Sequence, residues 1–362
     1  MFWLIDRGGG GARLGAWRQR YGARPLRSAM HNVKRTRQTP EEREARKRKE
    51  QTKIEEFTSL SQTVLSKKKD GDWSQDAFNL TTRLLQVNPE FYTIWNYRRE
   101  ILINGTFAKS SPDEIKSVLT DELAMAMSAL KAHPKVYWIW NHRRWCLENV
   151  PNVPGQESEP SHLGWKQSAW DRELFVVEKM LDTDPRNFHA WNYRRYVLAR
   201  MPNAKPESAE LAYTSRKIET NFSNFSAWHQ RSKILTSLWA QGKLDEAKSR
   251  EEEFELLRNA MYTDPNDQSV WMYHRWLVGT GGGKTILERE ITAIQELLDE
   301  QPDSKWCMES IVHYKRLLVK SCADEVDVTS LLGECKELYK RLQELDPARR
   351  RRYQELAEEI DS

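Results

Sequence analysis

Hydrophobic and polar positions along the chain repeat around five tryptophans. In four of the five copies an aromatic residue stands three positions before the tryptophan, and in all five an aliphatic residue stands seven positions after it. Offsets of −3, 0 and +7 lie on one face of an α-helix. Each copy therefore predicts a helix that buries its tryptophan side against a neighbour. The five tryptophans are Trp95, Trp140, Trp191, Trp228 and Trp271.

Residues upstream of each tryptophan predict where its helix begins. An Asn or Asp stands seven positions before the tryptophan in four copies, and a proline stands six positions before it in four copies, as Asn88 and Pro89 do before Trp95. An Asn or Asp side chain caps the free N–H groups of a first helical turn, and proline is tolerated next because its missing N–H would have no partner. The pattern predicts that each tryptophan helix begins at the proline.

An arginine stands three positions after the tryptophan in four copies. In the fifth copy His274 takes that place and Arg275 follows it. Position +3 lies beside the tryptophan on a helix surface. We therefore predict that the tryptophan and the arginine serve the packing of the repeats or the seam with a second protein. The arginines are Arg98, Arg143, Arg194, Arg231 and Arg275.

An amphipathic segment precedes each tryptophan helix, so every copy contains two predicted helices. The five preceding helices are predicted at residues 73–87, 112–132, 166–183, 206–220 and 242–263. The tryptophans are 37 to 51 residues apart, which favours a solenoid of helical hairpins over a globular bundle. A degenerate sixth pair is predicted at 286–320 and a last helix at 328–345.

The remaining segments set the predicted domain boundaries. Thr39-Pro40-Glu41-Glu42 forms a capping-box sequence, and the residues up to Lys53 are almost all charged. We therefore predict a charged arm at 30–53, the solenoid at 54–350 and a helical tail at 351–362. Residues 1–29 are rich in glycine and arginine and contain one serine, whereas an organelle transit peptide is usually serine-rich and amphipathic. We favour a disordered leader or a misassigned start for them.

Composition excludes several classes of function. The chain has no long apolar run, which predicts no transmembrane helix. Residues 1–29 hold six arginines against one aspartate, so the rest is nearly neutral and does not indicate nucleic-acid binding. Four cysteines without CxxC spacing indicate a reducing compartment, and we predict a cytoplasmic location. Histidines come about one per repeat without i,i+4 pairs, so no metal site within this chain is predicted.

From the residues alone, the chain is a scaffold that presents an extended surface to a partner. The repeated Pro-x-x-(Tyr/Phe)-x-x-Trp-(Asn/His)-x-Arg-Arg resembles the signature of protein prenyltransferase α subunits over roughly residues 73–320. The start Met30-His31-Asn32-Val33-Lys34-Arg35 and the ending around Trp306-Cys307-Met308 resemble the Rab (type II) geranylgeranyltransferase branch. The short 279–285 loop and the end at Ser362 predict a short form without leucine-rich repeats or an immunoglobulin-like domain.

The resemblance implies an all-α, right-handed α-α superhelix, crescent shaped, that wraps a β subunit in a heterodimer. That enzyme transfers geranylgeranyl from geranylgeranyl diphosphate to C-terminal cysteines of Rab GTPases presented by a Rab escort protein. Catalysis lies mostly in the β subunit, which holds a zinc ion. Two alternatives stay open, namely the α subunit shared by farnesyltransferase and type I geranylgeranyltransferase, and a non-enzymatic helical-repeat adaptor.

The resemblance also implies site residues. Lys135, directly after the proline of the second copy, matches a family lysine that contacts the diphosphate, and Tyr137 and His189 match family positions at the same seam. His31 would be the second residue if Met30 is the start, and it is a candidate ligand of the partner's zinc. An ordinary exposed histidine is the alternative for His31.

Overall fold

The structure is a computed structural model that describes residues 39–153, 164–279 and 283–360. The predicted leader at 1–29, His31 and part of the 279–285 loop lie outside the described residues. The chain divides into two compact units, Met1–Thr63 and Val64–Ser362. The described residues are helical and contain no strand, which confirms the all-α prediction.

Fifteen α-helices span the described residues. They are α1 (Pro40–Lys69), α2 (Gln75–Val87), α3 (Tyr92–Ile101), α4 (Pro112–Ala132), α5 (Tyr137–Asn149), α6 (Trp165–Thr183), α7 (Phe188–Arg200), α8 (Glu207–Thr220), α9 (Phe225–Ala240), α10 (Glu246–Thr263), α11 (Gln268–Gly279), α12 (Lys284–Glu300), α13 (Lys305–Cys322), α14 (Val328–Leu345) and α15 (Arg350–Glu358). A π-helical turn, Leu102–Thr106, extends α3, and short 3-10 turns occupy Phe107–Lys109, Ala323–Glu325 and Pro347–Arg349.

Helices of the second unit pack as successive hairpins. Each even-numbered helix from α2 to α12 packs against the helix that follows it, and α14 and α15 extend the series from α13. We call α2, α4, α6, α8 and α10 the first helices and α3, α5, α7, α9 and α11 the second helices. All five first helices end at the predicted residues. The predicted solenoid of helical hairpins is confirmed.

The charged helix α1 begins at the predicted capping box. The Thr39 N–H donates to Glu42 Oε2 at 3.0 Å, and the Glu42 N–H donates to Thr39 Oγ1 at 3.2 Å. Both bonds satisfy N–H groups that have no partner inside the helix. The helix runs unbroken to Lys69.

The tryptophans tie each hairpin turn to its second helix. Every indole Nε1–H donates to the backbone carbonyl six residues earlier, at 2.6 to 3.1 Å. All five side chains are at most 3% exposed. In the fourth copy the acceptor is the carbonyl of Phe222 instead of a proline carbonyl, so the bond depends on the backbone of the turn and not on the proline ring. The five indoles therefore have a structural role.

The predicted start of the second helices is wrong. These helices begin three residues before the tryptophan, and the Asn or Asp at −7 instead caps the end of the preceding helix, as when the Asn88 N–H donates to the Leu84 carbonyl. A residue before proline is disfavoured in the α conformation. The proline therefore ends the first helix and opens a turn. The N-cap falls at −4, where Asn187 and Asn224 accept from the backbone N–H groups of Ala190 and Ala227.

The prediction that the aromatic residue at −3 shares the buried face is also wrong. Tyr92, Tyr137, Phe188 and Phe225 are 43% to 71% exposed. They are the first residues of their helices. The first helix has already ended before this point of the chain, so its hairpin covers these side chains only in part.

Candidate functional site

One partly exposed, outward face recurs on the second helices, beside the buried tryptophans. Positions −3, +1 and +4 lie close together on a helix because they are separated by four and three residues. We call this surface the second-helix face and define it by its two outer rows. They are the aromatic residues Tyr92, Tyr137, Phe188 and Phe225 at −3 and the arginines Arg99, Arg144, Arg195 and Arg275 at +4.

Contacts between neighbouring copies join the starts of the second helices into one edge. The rings of Tyr92 and Trp138 lie 5.1 Å apart, which joins α3 to α5. The Asn187 side-chain amide donates to the Pro134 carbonyl at 3.3 Å, which joins α7 to the turn before α5. The Ser269 hydroxyl donates to the Ser223 carbonyl at 3.2 Å, which joins α11 to the turn before α9. The edge is built from helix N-termini, which favour anions.

The structure brings the three predicted site residues to this edge. Lys135 lies exposed in the turn between α4 and α5, and Tyr137 is the first residue of α5. His189 is the second residue of α7 and is half-buried, with its ring 5.7 Å from that of Phe188. The bond from Asn187 to Pro134 holds the two segments side by side. Their roles stay predictions.

The arginines at +3 are buried in ion pairs that the sequence analysis missed. Each makes two charge-assisted hydrogen bonds to one glutamate on the first helix of the next copy, at 2.5 to 2.8 Å. The pairs are Arg98 with Glu122, Arg143 with Glu173, Arg194 with Glu210 and Arg231 with Glu253. A glutamate inside the apolar stripe of α4, α6, α8 and α10 was the available signal.

The fifth copy replaces this pair with a histidine network. His274 Nε2 lies 3.0 Å from Glu290 Oε2, and His274 Nδ1 lies 2.6 Å from the Tyr314 hydroxyl. Arg289 donates to the other carboxylate oxygen of Glu290 at 2.9 Å. The fifth copy thus keeps a glutamate on the following helix, Glu290, although His274 replaces the arginine at +3. Arg275 lies one position further on, half-buried on the second-helix face.

His142 is a buried titratable group at the junction of the first two copies. Its Nε2 lies 2.9 Å from Glu122 Oε2, and its ring centroid lies 4.7 Å from that of Trp95. Burial lowers the pKa of His142 to about 4, against the opposing effect of the glutamate. Burial raises the pKa of Glu122, but hydrogen bonds from His142 and Arg98 outweigh it and lower that pKa to about 2.

This pKa shift predicts a loss of stability in mild acid. Below its ordinary pKa of 6.5 the imidazole of His142 takes up a proton in the unfolded chain, but in the folded chain only near pH 4. The free energy of unfolding should therefore fall by about 2 to 3 kcal/mol from this group between pH 6.5 and 4.5. Urea denaturation at several pH values, with His142→Gln as the comparison, measures it. Equal pH dependence in both chains would contradict the prediction.

The described residues show neither a metal cluster nor a membrane span. No group of three His, Cys, Asp or Glu side chains among them is placed to hold a metal ion. No helix in the described ranges combines the length and the apolar character that crossing a membrane requires. The four cysteines are free, and burial raises the pKa of the Cys307 and Cys335 thiols to about 11.

The five repeats match those of a known protein family. The protein prenyltransferase alpha subunit repeat matches residues 74–104, 119–150, 170–201, 208–238 and 250–280. These five matches coincide with the five helix pairs from α2 to α11.

Three relatives carry the name geranylgeranyl transferase type-2 subunit alpha. The Schizosaccharomyces pombe protein is 39% identical, over 92% of this chain and 99% of the relative. The Dictyostelium discoideum protein is 35% identical, over 91% of this chain and 100% of the relative. The Bos taurus protein is 39% identical, over 69% of this chain but only 42% of its own length.

A solved structure shares the fold. It is the Candida albicans protein geranylgeranyltransferase-I complexed with GGPP, at a TM-score of 0.64 and 20% identity, covering 84% of this chain and 91% of that chain. At this identity the likeness concerns the fold.

Proposed function

The chain belongs to the protein prenyltransferase α subunit family, with the type-2 geranylgeranyl transferases, and on this premise we propose that it is the α subunit of a heterodimeric Rab geranylgeranyltransferase. The observation that carries the proposal is the 39% identity to the Schizosaccharomyces pombe relative over nearly the full length of both chains. The five matched repeats support it.

In this proposal the heterodimer transfers geranylgeranyl from its diphosphate to C-terminal cysteines of Rab GTPases. The C–O bond to the diphosphate breaks, a C–S bond to the cysteine forms, and the thiol proton is lost. A Rab escort protein presents the substrate, and the enzyme works in the cytoplasm. The proposal assigns zinc to the β subunit, as the family resemblance implies.

The chain's own contribution to the chemistry lies at the edge of helix starts. Negative charge develops on the diphosphate as the C–O bond breaks, and a positioned cation stabilises it. Lys135 is exposed in the turn before α5, with Tyr137 beside it and His189 on the neighbouring segment. We assign Lys135 the electrostatic contact to the diphosphate, and Tyr137 and His189 supporting polar contacts. The partial charge at the α5 N-terminus favours the same anion.

Co-expression with the β subunit from the same organism tests the function. The heterodimer should transfer a labelled geranylgeranyl group to a Rab protein only when escort protein is present. Transfer to a CaaX peptide without escort protein would instead identify the α subunit shared by the farnesyl and type I enzymes. A chain that purifies without any β subunit would be a helical-repeat adaptor, and both enzyme assignments would fail.

A further inference from the structure

The second arginine of the Arg-Arg dipeptide lies on the second-helix face in the first three copies. We call Arg99, Arg144 and Arg195 the arginine row. The first arginine of each dipeptide is buried against a glutamate. No member of the arginine row forms an ion pair with a carboxylate in the described ranges 39–153, 164–279 and 283–360. The two neighbouring arginines therefore have different electrostatic surroundings.

Each member of the row reaches across to the next copy, where the groups it contacts in the described part of the chain are neutral. Arg99 donates to the Asn141 side-chain carbonyl at 2.7 Å. The Arg144 guanidinium lies 4.5 Å from the centroid of the Tyr196 ring, and its buried Nε–H has no hydrogen-bond partner among the residues that the structure describes. Arg195 donates to the Gln230 side-chain carbonyl at 3.4 Å. The three cations are thus held in place over the seams between copies without neutralisation.

Partial burial of these cations costs free energy that a carboxylate would offset. Burial lowers the pKa of Arg99 and of Arg195, and for Arg195 it is the only cause. His229, on the same face, has its pKa lowered by burial and then by Lys233 and Arg195. Buried charges in proteins are normally paired. Burial outweighs the effects of Cys146 and Glu148, which raise the pKa of Arg99, and Glu148 accepts a hydrogen bond from the Tyr196 hydroxyl at 2.5 Å.

The rest of the face has the composition of a protein interface. The exposed aromatic residues Tyr92, Tyr137 and Phe188 stand at the starts of the same three helices. Aromatic residues and arginine are enriched at interfaces, where the aromatics supply apolar area. A guanidinium matches a carboxylate through two parallel hydrogen bonds, which suits an acidic side chain from a partner.

We propose that the arginine row is a docking surface for acidic side chains of the β subunit, whose carboxylates complete the ion pairs that Arg99, Arg144 and Arg195 lack. The inference rests on the proposed function, because that function supplies the partner. It adds the chemistry of the contact. The partner surface should carry carboxylates at the spacing of adjacent second helices.

Neutralising the row tests the inference. The triple variant Arg99→Gln, Arg144→Gln and Arg195→Gln keeps polar side chains but removes three charges. Its Kd for the β subunit should rise by about 30-fold, and the salt dependence of assembly should weaken. The matched control removes three first-helix cations, Arg83→Gln, Arg216→Gln and Arg258→Gln, and should assemble like the wild type. The single variant Arg144→Glu should weaken assembly more than Arg144→Gln, since like charges would then face each other.

Thermal unfolding of the isolated α chain separates docking from a structural role. The triple Gln variant should unfold at the same temperature as the wild type or higher, because unpaired half-buried charges are removed. A lower unfolding temperature would overturn the inference, and so would unchanged β binding. Unchanged β binding with lost binding of escort protein and Rab would assign the row to a different partner. If the wild-type chain binds no β subunit, the proposed function itself fails.

Discussion

Replacing Lys135 with alanine is expected to lower the turnover of geranylgeranyl transfer by about 100-fold in the assembled heterodimer. Lys135 lies exposed in the turn before α5, at the edge where the second helices begin. Removing its ammonium group leaves the departing diphosphate with one cation fewer in the transition state. Single-turnover transfer to a Rab protein, with escort protein present, measures the chemical step.

Two control variants make the Lys135 result specific. Lys135→Arg keeps the positive charge and should retain most of the activity. Lys131→Ala removes an exposed lysine near the end of α4 and should leave turnover unchanged. The Lys135→Ala heterodimer should also assemble with unchanged Kd, because Lys135 is exposed and forms no ion pair within the described ranges, so the fold that presents the subunit interface stays intact. Unaltered turnover in Lys135→Ala would remove the assigned diphosphate contact while leaving the family assignment in place.

Replacing Glu173 with alanine is expected to lower the free energy of unfolding by about 3 to 5 kcal/mol. Glu173 receives two hydrogen bonds from Arg143, at 2.7 and 2.6 Å, and both side chains are 3% exposed. The variant leaves a buried guanidinium without its carboxylate, although Arg143 still donates to the Leu123 carbonyl. Chemical denaturation of the isolated chain, followed by circular dichroism, measures the change.

The double variant Arg143→Met and Glu173→Leu distinguishes a buried charge from lost packing. It removes both charges together and should lose much less stability than Glu173→Ala, because apolar replacements of a buried ion pair are often near neutral. Glu255→Ala, at an exposed position of α10, should change stability by no more than about 0.5 kcal/mol. If the single and double variants lost equal stability, the explanation through an unpaired charge would be wrong.

Local interactions account for the features that could be predicted from the chain alone. The capping box at Thr39 and the ends of the first helices depend on residues within one or two helical turns, and the helical period marks the buried side of each second helix by its tryptophan. Proline marked the hairpin turn correctly in the four copies that have it, but it was predicted to begin the second helix, whereas it follows the end of the first helix. A proline signals a break, and its position relative to the break follows from the conformation of the residue before it.

Long-range contacts account for the features that were missed. The glutamate partners stand 16 to 30 residues from their arginines. A charged residue in an amphipathic helix usually faces solvent, so the glutamates within the apolar stripes were passed over, and the packing of adjacent copies shows that Glu122 and Glu173 are buried. The exposure of Phe188 was missed for a similar reason, since it depends on where the neighbouring helix stops.

The sequence by itself determined that this protein is a series of helical hairpins with a tryptophan in each, because periodicity and turn residues act over short distances. The tertiary structure alone decided which arginine of each pair is neutralised. Both arginines are adjacent in the chain, but a step of one residue turns the side chain by about 100° around the helix. That rotation places Arg143 against Glu173 in the interior and Arg144 on the outward face, where it lies over Tyr196.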